Sequence, residues 1–456
     1  MLEEEKKEEL LALLTGKKYR ELKSQLVEMN EVDIASFIEE LDSEKTVVVF
    51  RMLPKELASE VFACLEVEQQ QHIITSITDN ELRAIIDDLY VDDAVDMLEE
   101  LPATIVRRVL QNSSPDTRKL INQFLNYPEN SAGSVMTAEY VGLKKNMTVE
   151  QAFDYIRKYG VDKETIYTCY VMDEKRRLEG VVTVKDLLMN DYAALMGDIM
   201  DPHVIKAYTT EDQEKVVETF NEYNLLSLPV VDGEDRLVGI ITVDDVMDVM
   251  EQEATEDFEK MAAMLPSEKP YLKTGVFQLA RNRIPWLMIL MLSATFTGMI
   301  LNHYENALAA CIVLNAYIPM LSGTGGNSGT QASTAVIRAL SLDEVDFSDI
   351  LRVLWKELRV SLLCGSCLAA ANFVKMQLVD RLLLGNAAVT PVVCLVVCLT
   401  IMFVVVFAKC VGCSLPLLAE KIGLDSAVMA SPFITTIVDA TSLLIYFRFA
   451  SWLLGI

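Results

Sequence analysis

Beyond about residue 284 the sequence is dominated by apolar stretches long enough to cross a bilayer, and no other feature constrains the fold as strongly. The segments 284–303, 307–325, 358–379, 389–413 and 427–454 each supply roughly the 20 apolar residues that a spanning helix needs. They predict an α-helical membrane domain of five spans. Glycines interrupt the second, and Lys375 stands near the end of the third. An odd number of spans leaves one chain without a simple inverted repeat of whole halves. A symmetric homodimer with the pathway at or near its interface is a natural solution.

The charge divides at the same place. Residues 1–270 hold 28 Lys+Arg against 57 Asp+Glu, a net of −29, and residues 271–456 hold 12 against 10, a net of +2. An acidic soluble part is therefore joined to a nearly neutral apolar part. A chain carrying this much negative charge repels phosphate, which argues against nucleic acid as a partner. The start, MLEEEKKEEL, is acidic and lacks the apolar core of a signal peptide, so the N-terminus is expected in the cytoplasm. The predicted inner flanks then hold Lys273, Arg281, Arg283, Arg338, Arg352, Lys356, Arg359, Lys409 and Lys421, and the outer flanks only Lys375, Arg381 and Arg448. Nine against three satisfies the positive-inside rule and places the C-terminus outside a cytoplasmic (inner) membrane. Seven of nine cysteines lie at or beyond Cys311, and the C-x-x-C pairs Cys364/Cys367 and Cys410/Cys413 sit in or beside apolar runs, where they read as small packing residues. Three histidines are too few to suggest a histidine metal site or triad.

The soluble part has two textures. Residues 1–127 read as helix throughout, with Pro54, Pro102 and Pro115 at boundaries. DIASFIEEL (33–41), LASEVFACL (57–65) and DAVDMLEEL (93–101) share apolar spacing at uneven intervals, which predicts a short helical superhelix. In residues 128–250, LEGVVTVKDLL (178–188) repeats as LVGIITVDDVM (237–247), and GSVMT (133–137) as GDIMD (197–201). Each copy predicts the order βαββα, the pair forming one unit with pseudo-two-fold symmetry. Residues 251–283 connect the halves: an acidic helix at 251–264, breaks at Pro266 and Pro270, then an amphipathic stretch at 271–283 suited to the inner membrane surface.

Three constellations carry chemistry. The run PMLSGTGGNSGTQAST (319–334) puts glycines, hydroxyls and amides where a hydrophobic segment ends, which hydrocarbon tolerates only if buried or lining water. Asn327 and Gln331 lie one turn apart and offer neutral oxygens to a hydrated cation, beside Gly325 and Gly326. Asp439 is the only acid after Ala427, inside a span, and an intramembrane carboxylate marks a functional site by default. Ser431, Thr435 and Asp439 form an oxygen stripe, with Pro432 placed to free a carbonyl. The third constellation is cytosolic: Asp244, Asp245, Asp248, Glu251, Glu253, Glu256 and Asp257, with Asp92, Asp93 and Asp96 in the N-terminal region and Asp212 and Glu214 opening a helix. Clustered carboxylates repel unless a cation bridges them, and all-oxygen ligation selects Mg²⁺ or Ca²⁺.

The two βαββα copies resemble a tandem pair of CBS domains, on Gly180–Leu187, Gly239–Val246 and the LPVVD strand at 228–232. The whole chain resembles the MgtE family of magnesium channels. The resemblance rests on NYPENSAGSVMT (126–137), TVDD…EATED (242–257), RIPWL (283–287), Pro319 with GGNSGTQAST (325–334), and DSAVMASP…TTIVDATSLLIYF (425–447). It implies an all-α superhelical N-domain (1–127), an α+β tandem CBS pair (128–250), an acidic connecting helix (251–283) and an α-helical transmembrane pore domain (284–456) in a homodimer. It also implies that Asp439 recognises hydrated Mg²⁺, that Asn327 lines the pore with Thr435 beside the ion site, and that Asp425 joins the connecting helix in metal binding. Mg²⁺ would be both cargo and regulator, and ATP a ligand of the CBS pair. Asn224 stands where some relatives carry an acid.

The expected function is a Mg²⁺-selective channel, driven by membrane potential and held closed by cytosolic Mg²⁺. Two other readings stay open: an ion-coupled secondary transporter of divalent cations, and a membrane metal or nucleotide sensor that transports nothing. No nucleophile–base constellation or Walker motif suggests an enzyme.

Overall fold

Short helices fill the chain from Glu4 to Phe124 because each apolar run of two or three turns is stopped by a cap or a proline. Asn30 caps one with its side chain, Thr78 and Glu81 form a capping box, and Pro54, Pro102 and Pro115 each stand at a helix start. The computed structural model of the chain describes residues 4–267, 271–272, 274–342, 344–429 and 431–455; Pro270 and Lys273 lie outside them. The three repeated stretches fall on the helices Glu31–Glu39, Lys55–Ala63 and Val91–Glu100. The last of these, α1, buries Val91, Ala94, Val95, Met97 and Leu98 and carries the partly buried Asp92 and Asp93 in its first turn.

Two three-stranded sheets follow. β1 (Val141–Lys144) runs parallel to β2 (Thr168–Met172), which pairs antiparallel with β3 (Leu178–Thr183); β4 (Ala207–Tyr208), β5 (Ser227–Val231) and β6 (Leu237–Thr242) repeat the pattern. The register slips at the equivalent place in both, Val171/Met172 and Val230/Val231. The copies exchange their leading segments: Thr137 bridges to Ile240 of β6, and Asp201 bridges to Val181 of β3. This explains the repeated Met and Gly. A Cβ on Gly239 would lie 2.6 Å from the Thr137 carbonyl oxygen and 2.7 Å from Met136 Sδ, and one on Gly180 would lie 2.5 Å from Met200 Sδ. The repeated Thr-Val-x-Asp is a helix start: Asp186 and Asp245 accept from the backbone and hydroxyl of Thr183 and Thr242.

By contacts the chain divides into residues 1–250 and 251–456. One helix, α2 (Val243–Met261), leaves β6 and carries the connecting acids. Most of the expected separate surface stretch 271–283 is instead the beginning of α3 (Val276–His303), a helix of 28 residues that runs through Pro285. Among the described residues, four helical stretches are long and apolar enough to cross a membrane: Val276–His303, Phe347–Leu383, Pro391–Lys421 and Pro432–Leu454. They fall on the first, third, fourth and fifth expected spans. The expected second span, 307–325, is not one helix. It comprises Glu305–Ala310, a 3₁₀ turn Ile312–Tyr317 and the start of α4 (Ile318–Leu340), whose glycines, hydroxyls and amides lower its hydropathy below that of the other four. The remaining helices are α5 (Ile350–Lys375), extended by a π-helical stretch Met376–Leu383, α6 (Pro391–Lys421) and α7 (Ser431–Leu454). α4, α6 and α7 pack on one another through small residues: a Cβ on Gly412 of α6 would sit 2.2 Å from the Gly329 carbonyl of α4. A buried ion pair, Lys409–Glu357 at 3.5 Å, joins α6 to α5.

Candidate functional site

In the apolar half, Asp439 lies near the middle of α7 and is half-buried against α4, where its carboxylate accepts a hydrogen bond from Ser322. Sequence reasoning passed over Ser322; its place in the polar run one turn after Pro319 was the available signal. Among the described residues no ion pair joins Asp439 to Arg448. Thr435, one turn before Asp439, packs over Gly326, where an added Cβ would come within 2.9 Å of its methyl group. Gly325 is buried against Val404 and Val438, so both glycines serve close helix packing and neither offers a surface to an ion. Asn327 and Gln331 share one exposed face of α4 with Gly323, Thr334 and Arg338. Pro432 is in the first turn of α7, where no intrahelical bond is lost, and the Thr435 and Thr436 hydroxyls both donate to its carbonyl at 3.0 Å. So close to the start of α7, Pro432 frees no carbonyl of that helix, contrary to the expectation. The Ser431 side chain lies outside the described residues.

In residues 1–250 the helix α1 meets the CBS pair through carboxylates. After burial, the charges of Asp93, Asp245, Glu164 and Glu139 raise Asp92, those of Asp245 and Glu139 raise Asp93, and those of Asp245, Asp244, Asp93 and Glu139 raise Glu164. Burial is the largest cause for each. It pushes Asp92 well above the carboxylate range, Asp93 up to about 6 and Glu164 up to about 7, and it raises Asp245. Asp92 Oδ1 and Glu164 Oε2 are buried with no hydrogen-bond partner. A buried oxygen left unpaired is costly, yet among the described residues no group of three or more carboxylates, histidines or cysteines is arranged to hold a metal ion. Asp96 stands exposed one turn along α1, in the field of Asp93 and Asp245.

Glu139 and Glu164 were not legible as members of this set. Each lies about 80 residues or more from Asp245 in sequence, and only the packing of α1 on the CBS pair collects them. Asp244 contributes to the field at Glu164 and Asp245, and Asp248 to that at Asp245. Asp212 and Glu214 are placed otherwise: Asp212 is a helix cap accepting the Glu214 amide at 2.9 Å. Asn224 takes a left-handed conformation (φ 51°) that closes the same helix, which suits an amide better than a larger acid.

The connecting acids form a separate group in residues 251–456. Asp425 lies beside α2, where Lys260 Nζ holds both Asp425 Oδ2 at 2.6 Å and Glu256 Oε1 at 2.7 Å. Partial burial and the Asp425 charge push Asp257 up to about 6. Glu251 is exposed and Glu253 partly buried on the same helix. Lys260, three residues beyond the acidic run, supplies a cation that the sequence reading of this cluster omitted.

These raised groups predict a pH dependence. In each the folded value exceeds the unfolded one, so the folded chain binds more protons. The stability they contribute is present at acid pH and is lost as pH rises through about 6 to 7. Without divalent cations the melting temperature of the detergent-solubilised protein falls as the pH rises from about 4, the ordinary carboxylate value, through about 7. Added Mg²⁺ narrows the fall, because a ligand of the folded state stabilises it. A flat profile in both conditions contradicts the cluster.

Comparisons with known proteins agree along the chain. Residues 318–449 match a family profile described as a divalent cation transporter, residues 29–130 the MgtE intracellular N domain, and residues 132–191 and 196–252 the CBS domain. A magnesium transporter MgtE of Thermus thermophilus is 38% identical over 95% of this chain and 95% of its own. One of Bacillus subtilis is 30% identical over 97% and 96%. A crystal structure of the soluble part of a magnesium transporter superposes with TM-score 0.53 at 30% identity, covering 55% of this chain and 99% of that one. The cytosolic domain of the Mg²⁺ channel MgtE in complex with ATP gives TM-score 0.50 at 39% identity, covering 53% and 98%.

Proposed function

Because the chain belongs to the MgtE family, whose members are transporters and not enzymes, we propose that it is a homodimeric Mg²⁺-selective channel of the cytoplasmic membrane, closed from within by Mg²⁺. The observation that carries this reading is Asp439: a carboxylate mid-helix among apolar helices, held by Ser322 and without an ion-pair partner among the described residues. Mg²⁺ parts reluctantly with its water. One carboxylate per subunit, with the neutral oxygens of Asn327, Gln331 and Thr435, would hold the ion through its hydration shell.

The dimer is supported by the polar face of α4, since exposed amides in a spanning helix need water or protein against them. α4 is taken as the second of five spans, which gives a cytoplasmic N-terminus and an outside C-terminus. Influx is driven by the inside-negative potential, about 2.3 kcal/mol per charge per 100 mV and roughly twice that for a divalent ion.

Regulation is a population shift. Internal Mg²⁺ bridges Asp92, Asp93, Glu139, Glu164 and Asp245 at one place, with Asp96, Asp244 and Asp248 in support. At a second it displaces Lys260 from Glu256 and Asp425, next to Glu251, Glu253 and Asp257. Bridging favours the closed state, and bare repulsion the open one. Asp212 and Glu214 are not assigned to either site. The relative solved with ATP extends the reading to ATP as a ligand of the CBS pair.

The test is Mg²⁺ uptake by proteoliposomes under an imposed potential, with and without Na⁺ and H⁺ gradients. Potential alone suffices for a channel. Uptake that requires a second ion gradient marks a coupled transporter, and folded dimers that take up nothing mark a sensor.

A further inference from the structure

The 3₁₀ turn Ile312–Tyr317, immediately before α4, is tied on two sides. Tyr446 of α7 donates its hydroxyl to the Leu314 carbonyl at 2.9 Å. Tyr317 donates its hydroxyl to Asp380 Oδ2 at 2.8 Å, and Lys375 Nζ donates to the same oxygen at 2.8 Å. The Lys375 ammonium also stands over the Tyr317 ring, 5.3 Å from its centroid. Tyr446 and Tyr317 are almost completely buried, and Asp380 is only 8% exposed.

Asp380 reaches this place because the chain after α5 winds as a π-helix over Met376–Leu383, a form that re-aims side chains and recurs at functional sites. Tyr446 is two turns from Asp439 on α7, and Tyr317 is the residue before the first of α4. The two helices that bear the proposed ion-pathway residues are thus joined at one end through a single short turn. This also accounts for Lys375, an unexpected charge at the end of a span.

We propose that Asp380 is a positioning residue for ion selection: with Tyr317 and Tyr446 it forms a clamp that fixes the spacing of α4 and α7 around Asp439. The proposal rests on the reading of Asp439 as the pore acid. The clamp does not touch the ion. It holds two helices whose separation decides whether Asp439 meets a cation through its water shell or lets it pass unselected.

Asp380→Asn weakens the clamp and leaves the Lys375 ammonium, whose side chain is 47% exposed, without its carboxylate partner. Tyr317→Phe removes only the hydroxyl. Both are tested in the full-length protein in proteoliposomes, beside Asp439→Ala, reading Mg²⁺ against Na⁺ permeability and the internal Mg²⁺ that halves the flux. Asp380→Asn is expected to lower the Mg²⁺/Na⁺ ratio by about tenfold, as small misplacements of a selecting group do. The half-closing Mg²⁺ should not move, a separation that general destabilisation would not give. Tyr317→Phe should shift the ratio in the same direction by less, and it decides the matter if Asp380→Asn does not fold. Parent-like ratios in both variants, with Asp439→Ala silent, overturn the clamp alone. Asp439→Ala conducting like the parent overturns the pore reading and the clamp with it.

Discussion

Asp439→Ala is expected to lower potential-driven Mg²⁺ uptake at least about a hundredfold while leaving the protein folded. Two carboxylates facing a divalent ion at an effective dielectric near 20 contribute several kcal/mol, and each 1.4 kcal/mol is a factor of about ten. The side chain is half-buried and hydrogen-bonded to the Ser322 hydroxyl, and no ion pair holds it among the described residues, so its removal leaves no partner charge unpaired there. Asp439→Asn keeps the shape and the Ser322 contact but not the charge. It should fall nearly as far as alanine, which separates charge from packing. Parent-like uptake by the asparagine variant would mean that the site selects by shape alone.

Neutralising the cytosolic cluster should have the opposite sign. The combined variant Asp92→Asn, Glu164→Gln, Asp245→Asn is expected to keep conducting at internal Mg²⁺ that closes the parent. It removes the charge from both groups that carry a buried unpaired oxygen, and with it most of the field that a bridging cation would relieve. An amide at position 245 can still accept from Thr242, so the start of α2 survives. Relief of repulsion should also raise the melting temperature in the absence of Mg²⁺, while the increment gained from added Mg²⁺ shrinks. Normal closure by this variant in patch recordings would remove the N-domain/CBS interface from the gating mechanism.

Much of this architecture was legible because the relevant signals are local. Repeated Gly-hydrophobic-Thr-Val-x-Asp announces a strand that ends in a capped helix, and both copies fold so. Runs of about 20 apolar residues announce spans, and four long helices lie where they were expected. The boundary of α4 was not legible. Hydropathy marks the apolar residues 307–325, whereas the helix is set by Pro319 in its first turn and by close packing at Gly325 and Gly329. Asp439 stood out as a lone acid in a span. Glu139, Glu164 and Lys260 did not, because a charge on a soluble surface is unremarkable until the fold puts others beside it. For the same reason Asp212 looked like a ligand in sequence and is a helix cap in the structure.

The central claim is that one protein conducts Mg²⁺ and is closed by it. Currents through the reconstituted parent at fixed potential, with Mg²⁺ as the external charge carrier and internal Mg²⁺ stepped upward, test this most directly. The account predicts current at low internal Mg²⁺ that collapses more steeply than the shrinking driving force requires. Current that follows the driving force alone, with no added closure, would contradict it.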